Sequence, residues 1–456
     1  MSKIVEYRIV VPREPQTNEL RAASFIRENI KLVCGKKLPL VKDTETPTPL
    51  EIVVGKTTRE AEDGIEIVRS RAGIWEFSVF KKGERLYLTG HGTPPDEEPA
   101  YTSAYKKLDD GAIGTVMAAY HFVEKILGYL FVYATHDEFP ESPDLEMPAA
   151  YDYRFTREAF RLQRPQPIEG AALYSLNCSE RIDWNIGSFI LKTRAGKLIV
   201  IDGGHREELP RLIECLKAIS GEAVPTVTAW LFSHMHNDHV GAYQRLCEEE
   251  WRDKLTVKDV YCNFLTREFW TALSPEANAS YGGVYDTMMT SDKALNTTLH
   301  VVATGDKITV DEIEFEVIHI PDLAFGNRMN VNDSSVVYKM TYDTAQTIMF
   351  LGDAEWVCNE DLLKNCAEKL PSDVVQVGHH GCGNVSRKCY ELIKAKAYIW
   401  QCGERFWYQE SCEGLNTHNV GYIRYRAFMK EIGVKNENVH VTIDDIQSFP
   451  LPFPIQ

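Results

Sequence analysis

The chain has 456 residues, a formal net charge of −16, 44% hydrophobic residues and 25% charged ones. This is the composition of a globular protein of two or three domains with ample core, and no apolar run reaches the length a bilayer demands. The acidic balance and the lack of a basic run argue against a processive nucleic-acid partner held by phosphate neutralisation, although a local basic patch is invisible in the total.

In chain order, Met1-Ser2-Lys3-Ile4 brings a charge at once and has no signal-peptide core. The 11 cysteines are scattered without paired spacing, so reduced thiols in a cytoplasmic protein are expected. Ile4–Val11 reads as a strand. Residues 17–33 read as a helix with Leu20, Ala23, Phe25, Ile26, Ile30 and Leu32 as its apolar positions. Leu50–Gly55 is a further strand, and Glu76–Phe80 with Arg85–Gly90 form a strand pair across a Lys-Gly turn. Gly114–Gly128 is a helix with a glycine stop. These elements make an α+β domain over residues 1–150 with no metal cluster and no nucleophile constellation. Prolines cluster from Pro140 and Pro143 to Pro165 and Pro167, as in a linker. A second domain is expected over 165–456.

That second domain opens with strands Asn185–Leu191 and Lys197–Ile201, the latter ending in Asp202-Gly203-Gly204. Thr226–Phe232 is an apolar strand that leads into Ser233-His234-Met235-His236-Asn237-Asp238-His239. Three histidines and one aspartate thus fall within six residues. Imidazole and carboxylate are first-choice ligands for zinc and similar divalent ions, and the C-terminal end of a strand is where α/β folds place sites. His319, in the strand pattern Ile313–Ile320, is read as either a strand residue or a ligand. The strand Thr347–Leu351 ends in Gly352-Asp353-Ala354-Glu355, and Asp373–Val377 ends in Gly378-His379-His380-Gly381, followed by Cys382. A strand at Ala397–Trp400, a helix around Tyr422–Ile432 and a strand at Val439–Thr442 complete the domain. Phe406, Trp407 and Tyr408 precede Asn416-Thr417-His418 and serve either the core or stacking on a sugar or base.

The His-x-His-x-Asp-His spacing resembles the signature of the metallo-β-lactamase superfamily. The Asp-Gly-Gly turn, the Gly-Asp turn and the Gly-His-His-Gly turn follow in the family's order, so the resemblance covers about residues 170–450. It implies an α/β fold, an αββα sandwich preceded by the smaller α+β domain. It implies two divalent metal ions, zinc first, with manganese or iron as alternatives. His234 and His236 would hold metal one, Asp238 and His239 metal two, and Asp353 would bridge them. His379 is assigned as the last ligand, with His380 as the alternative. Many members carry a further histidine for metal one between the first cluster and the bridging aspartate. Here Phe325–Val337 has none, and Asn332 or Asp333 supplies an oxygen or nothing. Asn332-Asp333-Ser334-Ser335-Val336, with Gly-Asp-Ala-Glu and Gly-His-His-Gly, resembles the nuclease-like branch of bacterial competence proteins.

The resemblance implies a metal-dependent hydrolase in which a metal-bridging hydroxide attacks the substrate. A phosphoester, in particular a phosphodiester, is the expected substrate. A carboxylic ester or lactone is the alternative, and a non-catalytic carbohydrate-binding or scaffolding module is the third reading. Asp238, His380 and His418 are the candidate catalytic residues, the two histidines as proton donors to the leaving group. Asp202 is expected to orient ligands. The N-terminal segments Lys37–Leu40, Glu51–Gly55, Gly114–Gly128 and Tyr151–Phe155 resemble the non-catalytic N-terminal domain of α-glucuronidase- and hexosaminidase-type glycoside hydrolases. The implied partner is a small molecule, carbohydrate-linked in one version, with nucleic acid less favoured and no membrane.

Overall fold

The structure is a computed structural model that describes residues 2–73, 75–93, 111–128, 141–178, 185–382, 385–403, 431–443 and 445–456. Contacts divide them into two compact units, one ending at Phe160 and the other beginning at Arg161.

In the first unit, β1 (Arg8–Val11), β2 (Leu40–Lys42), β3 (Glu51–Val54), β4 (Phe77–Lys82), β5 (Arg85–Gly90) and β6 (Asp152–Phe155) form one sheet in the order β2-β1-β3-β5-β4-β6. β1 runs parallel to β2 and β3, and β3 to β5. Parallel pairing needs crossovers, in which α1 (Thr17–Cys34) and α2 (Thr58–Glu62) lie. α3 (Ile113–Lys125) packs against α1, with Phe25 and Tyr120 edge to face at 4.7 Å. α1 buries Ala22, Ala23, Ile26, Ile30 and Val33 on one stripe. The segment expected as one strand from Ile4 begins instead with a single 3-10 turn, Ile4–Glu6. The Glu6 carboxylate accepts from the Lys3 amide at 3.0 Å, which turns the chain before β1 starts. A fully buried Glu51 receives Arg8, Arg59 and Arg85 at 2.5, 3.0 and 2.9 Å. The charges are matched by Glu62 and Asp63, so this cluster ties strands to α2 as a closed ion network.

The second unit follows α4 (Arg157–Arg161). Its strands are β7 (Ala172–Ser175), β8 (Ser188–Lys192), β9 (Leu198–Asp202), β10 (Thr226–Leu231), β11 (Thr256–Cys262), β12 (Thr298–Val301), β13 (Lys307–Val310), β14 (Ile313–His319), β15 (Val337–Tyr342), β16 (Gln346–Phe350), β17 (Val374–Gln376), β18 (Ala397–Gln401), β19 (Val439–Thr442) and β20 (Gln447–Pro450). They form two seven-stranded sheets, β12-β11-β10-β9-β8-β7-β20 and β13-β14-β15-β16-β17-β18-β19. Between the first sheet's strands and among the second's lie α5 (Leu209–Ser220), α6 (Asn237–Leu246), α7 (Arg267–Leu273), α8 (Pro275–Met289), α9 (Ser291–Leu295), α10 (Trp356–Asn365) and α11 (Arg387–Ile393).

β9 shows why two layers of strand need two layers of helix. Its side chains alternate between faces. Ile199 and Ile201 join Phe315, Val317, Phe350 and Ile399 of the other sheet in the central core. Leu198 and Val200 face outward and join Leu212 and Leu216 of α5 and Val240 of α6. Each such side chain removed from water contributes about 1.5–3 kcal/mol before entropy is charged. On the far side, Tyr390 of α11 packs on Tyr398 of β18 with ring centres 6.1 Å apart. The result is an αββα sandwich preceded by a smaller α+β unit, as expected. The chain end departs from the sequence reading: after β19 edges the second sheet, β20 returns to pair antiparallel with β7 of the first. The expected helix around Tyr422–Ile432 lies mostly outside the described residues, as do His418 and the aromatics at 406–408. Among the described residues no helix is long and apolar enough to cross a membrane.

Candidate metal centre

Four strand ends meet at one edge of the sandwich. β9 and β10 are parallel neighbours in one sheet, β16 and β17 in the other. Asp202 closes β9. The His234–His239 segment follows β10 and runs into α6, Asp353 follows β16, and His379-His380 follow β17. Asp238 stands in the first turn of α6, where the helix dipole favours a carboxylate.

The side chains converge. His234 Nε2 lies 3.0 Å from His236 Nδ1 and 3.7 Å from Asp353 Oδ2. His239 Nε2 lies 3.2 Å from Asp353 Oδ1 and 3.8 Å from Asp238 Oδ2. His380 Nε2 lies 3.2 Å from Asp238 Oδ2 and 3.4 Å from Asp353 Oδ2. Among the described residues two groups that could hold a metal ion result: His234, His236 and Asp353, and Asp238, His239, Asp353 and His380, with Asp353 common to both. His239 Nε2, His380 Nε2 and Asp353 Oδ1 are buried and have no hydrogen-bond partner. Buried polar atoms left unpaired are costly, and three of them facing one point fit a cation.

The outward-facing nitrogens support the same fit. A ligating imidazole nitrogen is unprotonated, so its other nitrogen must carry the proton and find an acceptor. All four histidines have one. His234 Nδ1 lies 3.0 Å from Ser233 Oγ, and His236 Nε2 3.4 Å from Tyr281 Oη. His239 Nδ1 lies 2.8 Å from Asp202 Oδ2, and His380 Nδ1 3.2 Å from the Gln401 carbonyl. Asp202 also accepts from the Ser233 amide and hydroxyl, each at 2.8 Å, which places it behind the ligands as the sequence suggested.

Electrostatics agree. Burial and the neighbouring His239 push His234 well below the ordinary imidazole range, so it is neutral and ready to coordinate. Burial raises Asp353, but His239 and His380 outweigh it and hold the carboxyl well below the usual range. Burial lowers His380, yet Asp353 and Asp238 outweigh it and lift the imidazole to about 9. The buried Asp353 and the half-buried Asp238 thus call for positive charge, which divalent ions supply in exchange for protons.

Of the adjacent histidines, the structure brings His380 into the ligand group, whereas the sequence reading preferred His379. Both residues have positive φ, 46° and 51°, so the chain turns sharply and the two rings diverge. His379 Nδ1 sits 3.0 Å from Glu355 Oε1, a close ion-pair contact rather than an aligned hydrogen bond, and its Nε2 is 3.9 Å from Asp353 Oδ2. Asn332 Nδ2 reaches both Glu355 Oε1 at 2.9 Å and His379 Nε2 at 3.2 Å. Burial raises Glu355, but His379 and the amides of Asn330 and Asn332 hold it at about 2. Asp333 is not at the centre: its carboxylate caps α10 through the amides of Val357 and Cys358 at 2.8 and 3.2 Å. His319 is a strand residue, with Nδ1 2.8 Å from Asp361, and joins neither ligand group. Sequence reasoning did not single out Tyr281, Ser233 or Gln401. Only Ser233 had a local signal, its place beside His234.

The profile described as the Metallo-beta-lactamase superfamily matches residues 183–393. Over those residues the chain is a member of the metallo-beta-lactamase superfamily. The fold and the shared-aspartate cluster together make this protein an enzyme of the metallohydrolase type. No curated protein sequence matches the chain. Among solved structures, the metallo-beta-lactamase fold protein YhfI from Bacillus subtilis is 11% identical, with 61% of this chain and all 100% of that one covered and a TM-score of 0.35. Yeast PDE1 is 12% identical over 62% of this chain and 99% of its own, with a TM-score of 0.37. CmlA, a diiron β-hydroxylase from Streptomyces venezuelae, is 11% identical over 63% and 55%, with a TM-score of 0.40. Likenesses this distant leave the substrate of the metallo-beta-lactamase domain to its own residues.

Proposed function

We propose that this metallohydrolase cleaves a phosphoester, in particular a phosphodiester of small-molecule size. The observation that carries the reading is the pair of ligand groups sharing Asp353. In this reading His234, His236 and Asp353 hold one divalent ion, and Asp238, His239, Asp353 and His380 hold the other. Zinc is the first choice for this nitrogen-rich set, with manganese or iron as alternatives. Two ions so held would supply Lewis-acid chemistry, making a water nucleophilic near neutral pH and taking up charge on the attacked group. The chain's own contribution is to hold that geometry and to handle the leaving group's proton. His379, 20% exposed on its side chain and set against Glu355 through Nδ1, is the residue we assign to that proton; its Nε2 accepts from the Asn332 amide at 3.2 Å and must leave that contact to carry the proton to the leaving group. Asn332 orients the pair from the other side. His379, Glu355 and Asn332 come from the three motifs that resemble the nuclease-like branch of competence proteins, and their side chains meet at one point. An exposed Trp356 directly after Glu355 offers an uncovered ring for a sugar face, which supports a carbohydrate-linked substrate.

The reading is tested by supplying the zinc- and manganese-loaded protein with a chromogenic phosphodiester and a chromogenic lactone. Metal-dependent phosphodiester cleavage is the expected result. Lactone cleavage alone would move the enzyme to the carboxylic-ester class. A second test concerns the space around His239. A Cβ on Gly187 would lie 2.4 Å from two ring atoms of that histidine, so the ring must move. Gly187→Ala is therefore expected to lower metal content by about one equivalent per chain while circular dichroism stays that of the parent. Full metal content in this variant would count against His239 as a ligand.

A further inference from the structure

The two ligand groups are built unequally. The group around Asp238, His239, Asp353 and His380 has four members, and its histidines are 1% and 3% exposed. Their outer nitrogens are fixed by a carboxylate at 2.8 Å and a strand carbonyl at 3.2 Å. Among the described residues the other group has three members, one of them the shared Asp353, and its His236, like Asp238 of the first group, is half-buried. The contact at its outer nitrogen comes from elsewhere in the fold. Residues 263–297, between β11 and β12, leave the sheet as the helical excursion α7–α9. There Tyr281 of α8 presents its hydroxyl 3.4 Å from His236 Nε2, with ring centres 6.0 Å apart. Tyr281 is itself seated on Trp270 of α7 at 4.8 Å. Trp270 is 1% exposed and is locked by its indole N–H donating to the Leu265 carbonyl at 3.0 Å.

We propose that Tyr281 is a positioning residue that sets the orientation of His236, and that the three-member position is the weaker, exchangeable one, governed by this helical excursion. The inference rests on the metallohydrolase reading. When His236 Nδ1 faces an ion, Nε2 carries the proton and donates it to the Tyr281 oxygen. Without that acceptor the ring is free to rotate about its χ angles, and the position with fewest ligands has the least to spare. Loss of such an outer partner typically weakens metal affinity by about 10- to 100-fold.

The experiment is a titration of metal-free protein with cobalt(II), following ligand-field absorption, on wild type, Tyr281→Phe and Tyr285→Phe. Tyr285 lies on the same helix and serves as the control for the chemical change. Wild type is expected to fill in two phases, with a chelator stripping one equivalent first. In Tyr281→Phe the weaker phase is expected to shift by about 10- to 100-fold with an altered spectrum, and the tighter phase to stay in place. Tyr285→Phe is expected to match wild type. Equal shifts of both phases, or none, in Tyr281→Phe would overturn the inference while leaving the metal reading intact. A wild type that binds no cobalt would overturn both.

Discussion

Asp353→Ala will remove metal-dependent hydrolysis, with turnover falling by more than roughly 10³-fold. Losing a single hydrogen-bond donor to a transition state already costs about 10²–10³. Asp353 is the one residue common to both ligand groups, so its loss removes an oxygen from each position at once. The fold is expected to survive. The backbone amide of residue 353 still donates to Ser335 Oγ at 3.1 Å, and the strand before it is held by its ladder. The side chain is 3% exposed and has an oxygen with no hydrogen-bond partner, so it stands there for an ion rather than for packing. Zinc addition is expected to raise the Tm of metal-free wild type, because an ion that binds only the folded state stabilises it by mass action. The variant should show a much smaller rise. Wild-type turnover in Asp353→Ala, with the variant folded, would remove the shared-aspartate centre from the mechanism.

The centre was legible in the sequence because its parts are local. His234, His236, Asp238 and His239 lie on one turn after a strand, and a strand end is where such a turn must lie. Asp353 could be read for the same reason, after the apolar run that became β16. The helix of the first unit was readable from its stripe, since Ala23, Ile26 and Ile30 recur at helical spacing. What was not legible depends on three-dimensional closure. Nothing near Tyr281 in sequence marks it as a neighbour of His236, 45 residues earlier. β20 pairs with β7 across almost the whole domain, and its short apolar run has no partner preference of its own. The carbonyl of Gln401 carries no side-chain signature at all, yet it fixes His380. The choice between His379 and His380 was not legible for a different reason. Alternation along a strand assigns faces only while the backbone stays extended, and these two residues both leave that region for positive φ.

That pair of histidines provides the second large effect. His380→Ala is expected to strip metal from the four-member position, because its Nε2 faces Asp238 and Asp353 and its Nδ1 has the Gln401 carbonyl behind it. Removing it also leaves the Asp353 and Asp238 carboxylates with one less positive partner, so metal content and turnover are expected to fall together. His379→Ala is expected to behave otherwise. Its ring belongs to Glu355 and Asn332, so both metal equivalents should remain. Turnover should fall by roughly 10²–10⁴, the usual worth of a positioned proton donor. The deficit should shrink for substrates whose leaving group needs no proton, such as an ester of a strongly acidic phenol. Measuring metal content and the leaving-group dependence of kcat in the two variants separates the roles. If His379→Ala lost metal while His380→Ala kept it, the ligand would be His379 as the sequence first suggested, and the turn at 379–380 would have to rearrange on binding. If His379→Ala kept both metal and rate with every leaving group, the proton would have to come from elsewhere, and His418 would be the next residue to replace.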